Sequence, residues 1–247
     1  MTAQTVDDEH FFDDGGPAFL VRPTAETVLG GVLWLHWFDQ DAPDGNRTQF
    51  LPEAEELAGQ GVVSVLPQLL FPWASDPADA EADIARIELE SDRLRKAVDW
   101  LAEFDAPVVF VGHDFGAMHG LLVMAHDRRI RAGVLMAPAN RWANWFLRFW
   151  QVRGDRFDYL RALSLFDPIE RVASVAPRAL LFQYAENDFF IAGMDARELH
   201  NAAGQPKRMK TYPPDHALRH LEARADRRQF ILAELEASDW RKREDAR

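Results

Sequence analysis

Val108-Val109-Phe110-Val111-Gly112-His113-Asp114-Phe115-Gly116-Ala117 decides the reading of this chain. An apolar, mostly β-branched run breaks into Gly-x-Asp-x-Gly, and helical spacing resumes through Met118, Leu121, Leu122 and Ala125. That order predicts a buried strand, a turn too sharp for most side chains, and a helix. The residue at the apex sits at the amino end of the helix, where unpaired N–H groups and the macrodipole stabilise an anion. Here it is Asp114. A carboxylate attacking an ester would make a reactive anhydride, whereas one attacking an sp³ carbon makes an ordinary, hydrolysable ester.

Outward from this stretch, apolar bursts alternate with helical patterns, the signature of a mainly parallel, doubly wound sheet wrapped by helices. Strands are predicted over 18–22, 27–36, 61–66, 107–111, 132–137, 179–184 and 209–212. Helices are predicted over 48–59, 78–104, 115–126 and 217–235, with a further aromatic helical stretch over 141–165. No repeat or low-complexity segment divides the chain, so 1–247 reads as one α/β domain with 141–165 as a short helical lid. In that insert Trp142, Trp145, Phe146, Phe149 and Trp150 share one broad helical face. Such a face packs onto the sheet domain and also roofs a pocket, which points to a small apolar substrate.

Composition narrows the function. Charged residues make up 28% and the formal net charge is −12, with no Lys/Arg cluster, so a nucleic-acid partner is not expected. There is no cysteine, which removes thiolate nucleophiles, thiolate metal ligands and disulfides. No His-Glu-x-x-His pattern suggests a metal and no cofactor is implied. Residues 1–14 are polar and acidic, unlike a signal peptide, and no run is long enough to cross a bilayer. A soluble cytoplasmic protein is the expectation.

Two further landmarks follow in order: Tyr184-Ala185-Glu186-Asn187-Asp188 after one late strand, and Pro214-Asp215-His216-Ala217 after the next. With the Asp114 turn, this sequence of elements resembles the α/β-hydrolase superfamily over essentially the whole chain. Phe166-Asp167-Pro168-Ile169, followed by Ala176-Pro177-Arg178-Ala179-Leu180-Leu181-Phe182, looks like the dienelactone hydrolase-like branch. Gly112-His113-Asp114-Phe115-Gly116 instead looks like the elbow of epoxide hydrolases and haloalkane dehalogenases.

The resemblance implies an Asp114, Asp188, His216 triad, with Asp114 as nucleophile, His216 activating water and Asp188 orienting His216. It implies an oxyanion hole from the main-chain N–H groups of Phe115 and Trp37. His36, Trp142, Trp145 and Trp150 are the candidate substrate-binding residues, and Trp37 and Trp73 are expected at the same end. His113 is expected only to pack. Three functions stay open: hydrolysis of an epoxide or carbon–halogen bond through an alkyl-enzyme ester, ester or lactone hydrolysis with Asp114 as a general base, and a silent fold that binds a ligand or partner. Departures are specific. Phe115 stands where dehalogenases carry a Trp that holds the halide. Epoxide hydrolases use two cap tyrosines as acids, and of Tyr159, Tyr184 and Tyr212 only Tyr159 falls in the insert.

Overall fold

The aliphatic runs read above form strands buried on both faces, and the sheet they build is mostly parallel. The computed structural model describes residues 3–237 other than 14, 25–26, 40, 73, 75–76 and 150, and the side chains of Trp145 and Phe149 also fall outside its description. The strands are β1 (Gln4–Phe12), β2 (Gly16–Arg22), β3 (Gly30–Leu35), β4 (Val62–Pro67), β5 (Val108–His113), β6 (Ile130–Met136), β7 (Ala179–Ala185) and β8 (Lys207–Tyr212). The helices are α1 (Leu51–Ala58), α2 (Ala80–Ala102), α3 (Phe115–His126), α4 (Trp142–Phe149), α5 (Arg156–Leu163), α6 (Pro168–Arg171), α7 (Gly193–Ala202) and α8 (Leu221–Glu236).

The sheet runs β1-β2-β4-β3-β5-β6-β7-β8, with β1, β2 and β4 antiparallel in turn and all later pairs parallel. Every residue of β3, β4, β5 and β7 is buried, as strands covered on both faces require. Two adjacent glycines mark the covers. A side chain on Gly30 would meet Leu235 of α8, and one on Gly31 would meet Leu101 of α2, on the opposite face. The chain leaves β3 in one direction, to β4, and returns to its other side at β5. Ligands of open α/β sheets bind outside the carboxyl ends of the strands at such a switch point.

Besides the single turn of α6, two longer elements escape the periodicity. β1 carries Asp7, Asp8 and Glu9, is largely exposed, and forms the antiparallel edge of the sheet; charged edge strands resist pairing with other chains. α7 has a short, mostly polar sequence between β7 and β8. The insert also differs from a continuous helix. α4 and α5 are separated by a stretch in which Ala78 pairs with Val152, with Gly154 at φ 85°. At its base the Trp142 N–H donates to Asp167 Oδ1 (2.9 Å), the Trp142 Nε1–H to the Phe166 carbonyl (3.0 Å) and the Ile169 N–H to the Asn140 carbonyl (3.1 Å). On its far side the Tyr159 hydroxyl donates to Asp83 Oδ2 of α2 (2.9 Å). Among the described residues no helix is long and apolar enough to cross a membrane.

Candidate active site

Both glycines of Gly-x-Asp-x-Gly are there for space. A Cβ on Gly112 would lie 2.6 Å from the Ala117 nitrogen across the turn, and one on Gly116 would lie 2.3 Å from the Leu35 carbonyl oxygen. The turn therefore closes tightly and lets α3 press against the end of β3. Asp114, between them, adopts φ 51° and ψ −117°, a conformation that strains any side chain. Three main-chain bonds hold it. Its N–H donates to the Met136 carbonyl (2.8 Å), and its own carbonyl accepts from Ala117 (3.0 Å) and Met118 (3.1 Å).

The structure brings Asp114, Asp188 and His216 to the carboxyl ends of β5, β7 and β8. His216 Nδ1 is 2.8 Å from Asp188 Oδ2, and Asp188 Oδ1 accepts the N–H groups of Phe190 (2.8 Å) and Ile191 (3.2 Å). Burial opposes charge on Asp188, but the His216 bond and charge and those two N–H groups outweigh it and hold its pKa below the ordinary value. Burial likewise opposes charge on His216. The Asp188 hydrogen bond and the negative fields of Asp114, Asp188 and Asp215 outweigh it and raise the imidazole pKa. For Asp114 burial dominates and pushes the pKa up to about 7, with His216 and the Phe115 N–H acting the other way and Asp188 adding to the rise. Asp114 Oδ1 and His216 Nε2 are both buried without a hydrogen-bond partner. Buried polar atoms left so are rare in folded proteins.

The expected oxyanion donors fare differently. The Phe115 N–H bears on the Asp114 carboxylate and lowers its pKa. The Trp37 N–H instead donates to Gln49 Oε1 (3.1 Å), so the second donor anticipated there is engaged. The Trp37 ring reaches the site, stacked on His113 (5.5 Å between centroids) and edge-on to His216 (5.3 Å). His113 does more than pack. Its Nε2 is 2.9 Å from the His216 carbonyl and its Nδ1 is 2.6 Å from Gln49 Nε2. Gln49 lies within a predicted helix, and no local pattern singles it out.

His36 is a correction. It is buried, and burial pushes its pKa down to about 4. Its Nδ1 lies 2.8 Å from the Trp37 carbonyl and its Nε2 accepts the Leu69 N–H (3.0 Å), so both nitrogens brace the loops after β3 and β4. Neither remains to bind substrate. Trp142 is a second correction: fully buried, it stacks on Phe115 (5.7 Å) and lies against His119 (4.8 Å), forming core beneath the insert. Trp150, Trp73 and the Trp145 side chain lie outside the described residues. The tyrosine hydroxyls are all engaged, Tyr159 on Asp83, Tyr184 on the Pro138 carbonyl (3.3 Å) and Tyr212 on Asp226 (2.8 Å). A cavity of about 410 Å³ opens behind Asp188, lined by Glu186, Arg197, Met209 and Thr211 among others, but not by Asp114 or His216. Among the described residues no cluster of His, Asp or Glu is placed to hold a metal ion.

No family model matches the chain, and no curated protein matches it. Solved structures do. An esterase domain of a Rhodothermus marinus protein superposes with a TM-score of 0.66 over 98% of this chain and 99% of its own, at 18% identity. A Klebsiella pneumoniae protein described as a dienelactone hydrolase gives 0.67 over 96% and 100%, at 17% identity. An α/β hydrolase of a Penicillium species gives 0.65 over 96% and 100%, at 14% identity. The chain has the α/β-hydrolase fold. Within that fold Asp114 stands at the strained apex of the turn between β5 and α3.

Proposed function

We propose that the chain is a hydrolase in which Asp114 attacks a small apolar substrate at carbon. The carrying observation is the buried Asp114 carboxylate on its strained turn, with one oxygen unpartnered, facing a histidine whose Nδ1 is held by Asp188 and whose Nε2 is unpartnered. Buried carboxylate oxygens are hydrogen-bonded in the large majority of cases. In the first step an Asp114 oxygen forms a bond to carbon, and the leaving group departs with the bonding pair. No proton need be removed from the nucleophile. In the second step water attacks the Asp114 carboxyl carbon, giving its proton to His216 Nε2, and the alkoxide takes that proton as the ester bond breaks. The negative charge of that step develops on Asp114 itself, where the Phe115 N–H bears.

The engaged tyrosines favour a leaving group that departs as a stable anion without a proton donor, hence a carbon–halogen bond over an epoxide. A second reading, ester or lactone hydrolysis with Asp114 as general base, draws on the esterases among the fold neighbours, one of which, Est1E of Butyrivibrio proteoclasticus, has been solved with ferulic acid bound. A single turnover in heavy-oxygen water separates the two. Label is expected in the Asp114 carboxylate, and His216→Gln is expected to accumulate the adduct as added mass on the intact protein. Label in product alone, or full turnover by His216→Gln, would overturn the covalent route.

A further inference from the structure

The Trp37 N–H can only donate and the His216 carbonyl can only accept, and between them stand one amide and one imidazole. Gln49 Oε1 takes the Trp37 N–H at 3.1 Å and also receives Asn46 Nδ2 at 3.4 Å, so that end of the amide must be its oxygen. Gln49 Nε2, 2.6 Å from His113 Nδ1, is then a donor, and Nδ1 must be a lone pair. The proton of His113 therefore sits on Nε2, which donates to the His216 carbonyl at 2.9 Å. Each partner admits one polarity, and the chain of bonds closes only around a neutral His113. It joins residues from the loop after β3, the approach to α1, the elbow and the histidine loop, which are 64 and 103 residues apart at its two His113 links.

We infer that Gln49 is a positioning residue for the reaction proposed above, its side-chain amide fixing His113 as the neutral Nε2–H tautomer and thereby holding the His216 loop and the Trp37 ring in place. His113 lies 5.1 Å, centroid to centroid, from His216, so its charge state acts directly on the imidazole that must accept a proton. The charged and titratable groups facing this pair are Asp114, Asp188 and Asp215 around His216, and His36 and Arg227 around His113. A cation on His113 would oppose protonation of His216. Burial, His216 and Arg227 all disfavour that cation in the native protein.

The test is Gln49→Glu, which keeps an acceptor for Trp37 but replaces the donor facing His113 Nδ1 with a carboxylate. With that carboxylate ionised, both His113 bonds can be kept only if His113 takes a second proton. In ¹⁵N-histidine NMR the native His113 is expected as the neutral Nε2–H tautomer across the neutral range, and in Gln49→Glu as an imidazolium. The His216 midpoint should fall by about half a pH unit, since the His113 imidazolium touches the His216 loop while the carboxylate that offsets part of its charge lies on the far, Nδ1 side of the ring. The acid limb of adduct hydrolysis should move with it. A residue that merely supports the fold would lower Tm and leave both midpoints where they were. An Nδ1–H tautomer in the native protein, or an unmoved His216 midpoint in Gln49→Glu, would overturn the inference. The native spectrum needs neither a folded variant nor a substrate, so it decides the hydrogen-bond chain even where no substrate is turned over and the proposed reaction itself has failed.

Discussion

A carboxylate buried with an unmatched oxygen burdens the fold whenever it is charged, and this gives Asp114 a signature in stability. Its pKa rises from the ordinary 3.8 to about 7, so the protonated form is the one the fold favours. The stabilising contribution is complete below the ordinary value and disappears as pH rises through about 7. A tenfold change in proton affinity corresponds to about 1.4 kcal/mol, which puts a ceiling of about 4 kcal/mol on the effect. Asp114→Asn, neutral at all pH, is expected to match the wild type near pH 4 and to exceed it by about 2 kcal/mol at pH 8. Urea unfolding at the two pH values checks this, and an equal gap at both would count against a desolvated charge. Ionisation of Asp114 is also needed for attack, so kcat/KM should rise with pH through about 7. Asp114, Asp188 and His216 were legible in the sequence because each follows a strand in a recognisable order. Gln49 and His113 were not, because their roles exist only through partners distant in the chain.

Between the helices, the insert is fixed by the bonds around Trp142 at its base, by the pairing of Ala78 with Val152 and by the Tyr159–Asp83 bond on α2. Asp83 is fully buried, its other oxygen accepting the Ala74 N–H at 2.9 Å, and burial raises its pKa against those two hydrogen bonds. Tyr159→Phe would leave Asp83 Oδ2 without its donor, and stability is expected to fall by about 1–3 kcal/mol. Adding Asp83→Asn should recover part of the loss, and a double-mutant cycle by denaturant unfolding measures the coupling; strictly additive losses would show that the bond carries nothing. The helical spacing of the insert did predict a buried aromatic face, and Trp142 and Phe146 form one against Phe115. It did not predict the break, because the pairing of Ala78 with Val152 that interrupts the helix is a tertiary contact. β1 was illegible for another reason: an exposed edge strand has no buried face to impose alternation.

Across the whole molecule, α1 and α8 are joined by an ion pair that no local reading could find. Arg227 Nε is 2.7 Å from Glu53 Oε2 across a separation of 174 residues in sequence, and both side chains are almost wholly buried. Attraction at such a site roughly offsets the loss of hydration, while a lone buried charge has no offset. Arg227→Met leaves Glu53 only the half-exposed Arg224, 3.4 Å from its Oε1, and is expected to cost about 3 kcal/mol, whereas Glu53→Leu with Arg227→Met should restore most of it. Urea midpoints of the three proteins decide the matter, and a double variant no better than the single one would mean the pair stabilises the fold outright. The mainly parallel character of the sheet was legible from its apolar runs, since strands covered on both faces cannot be polar, whereas the order in which the strands lie side by side is set by tertiary pairing.

The turn that carries Asp114 is fastened by three bonds, and all of them belong to the main chain. Its side chain takes no part in the fastening. Gly112 and Gly116, two residues away on either side, by contrast admit only glycine, since any larger residue would strike Ala117 or the Leu35 carbonyl. The scaffold is thus exacting about its frame and indifferent to the reagent mounted in it. A hydroxyl could be seated at the same point by changing one residue and nothing else, so under the proposed function the kind of bond cleaved is separable from the architecture that holds the attacking group.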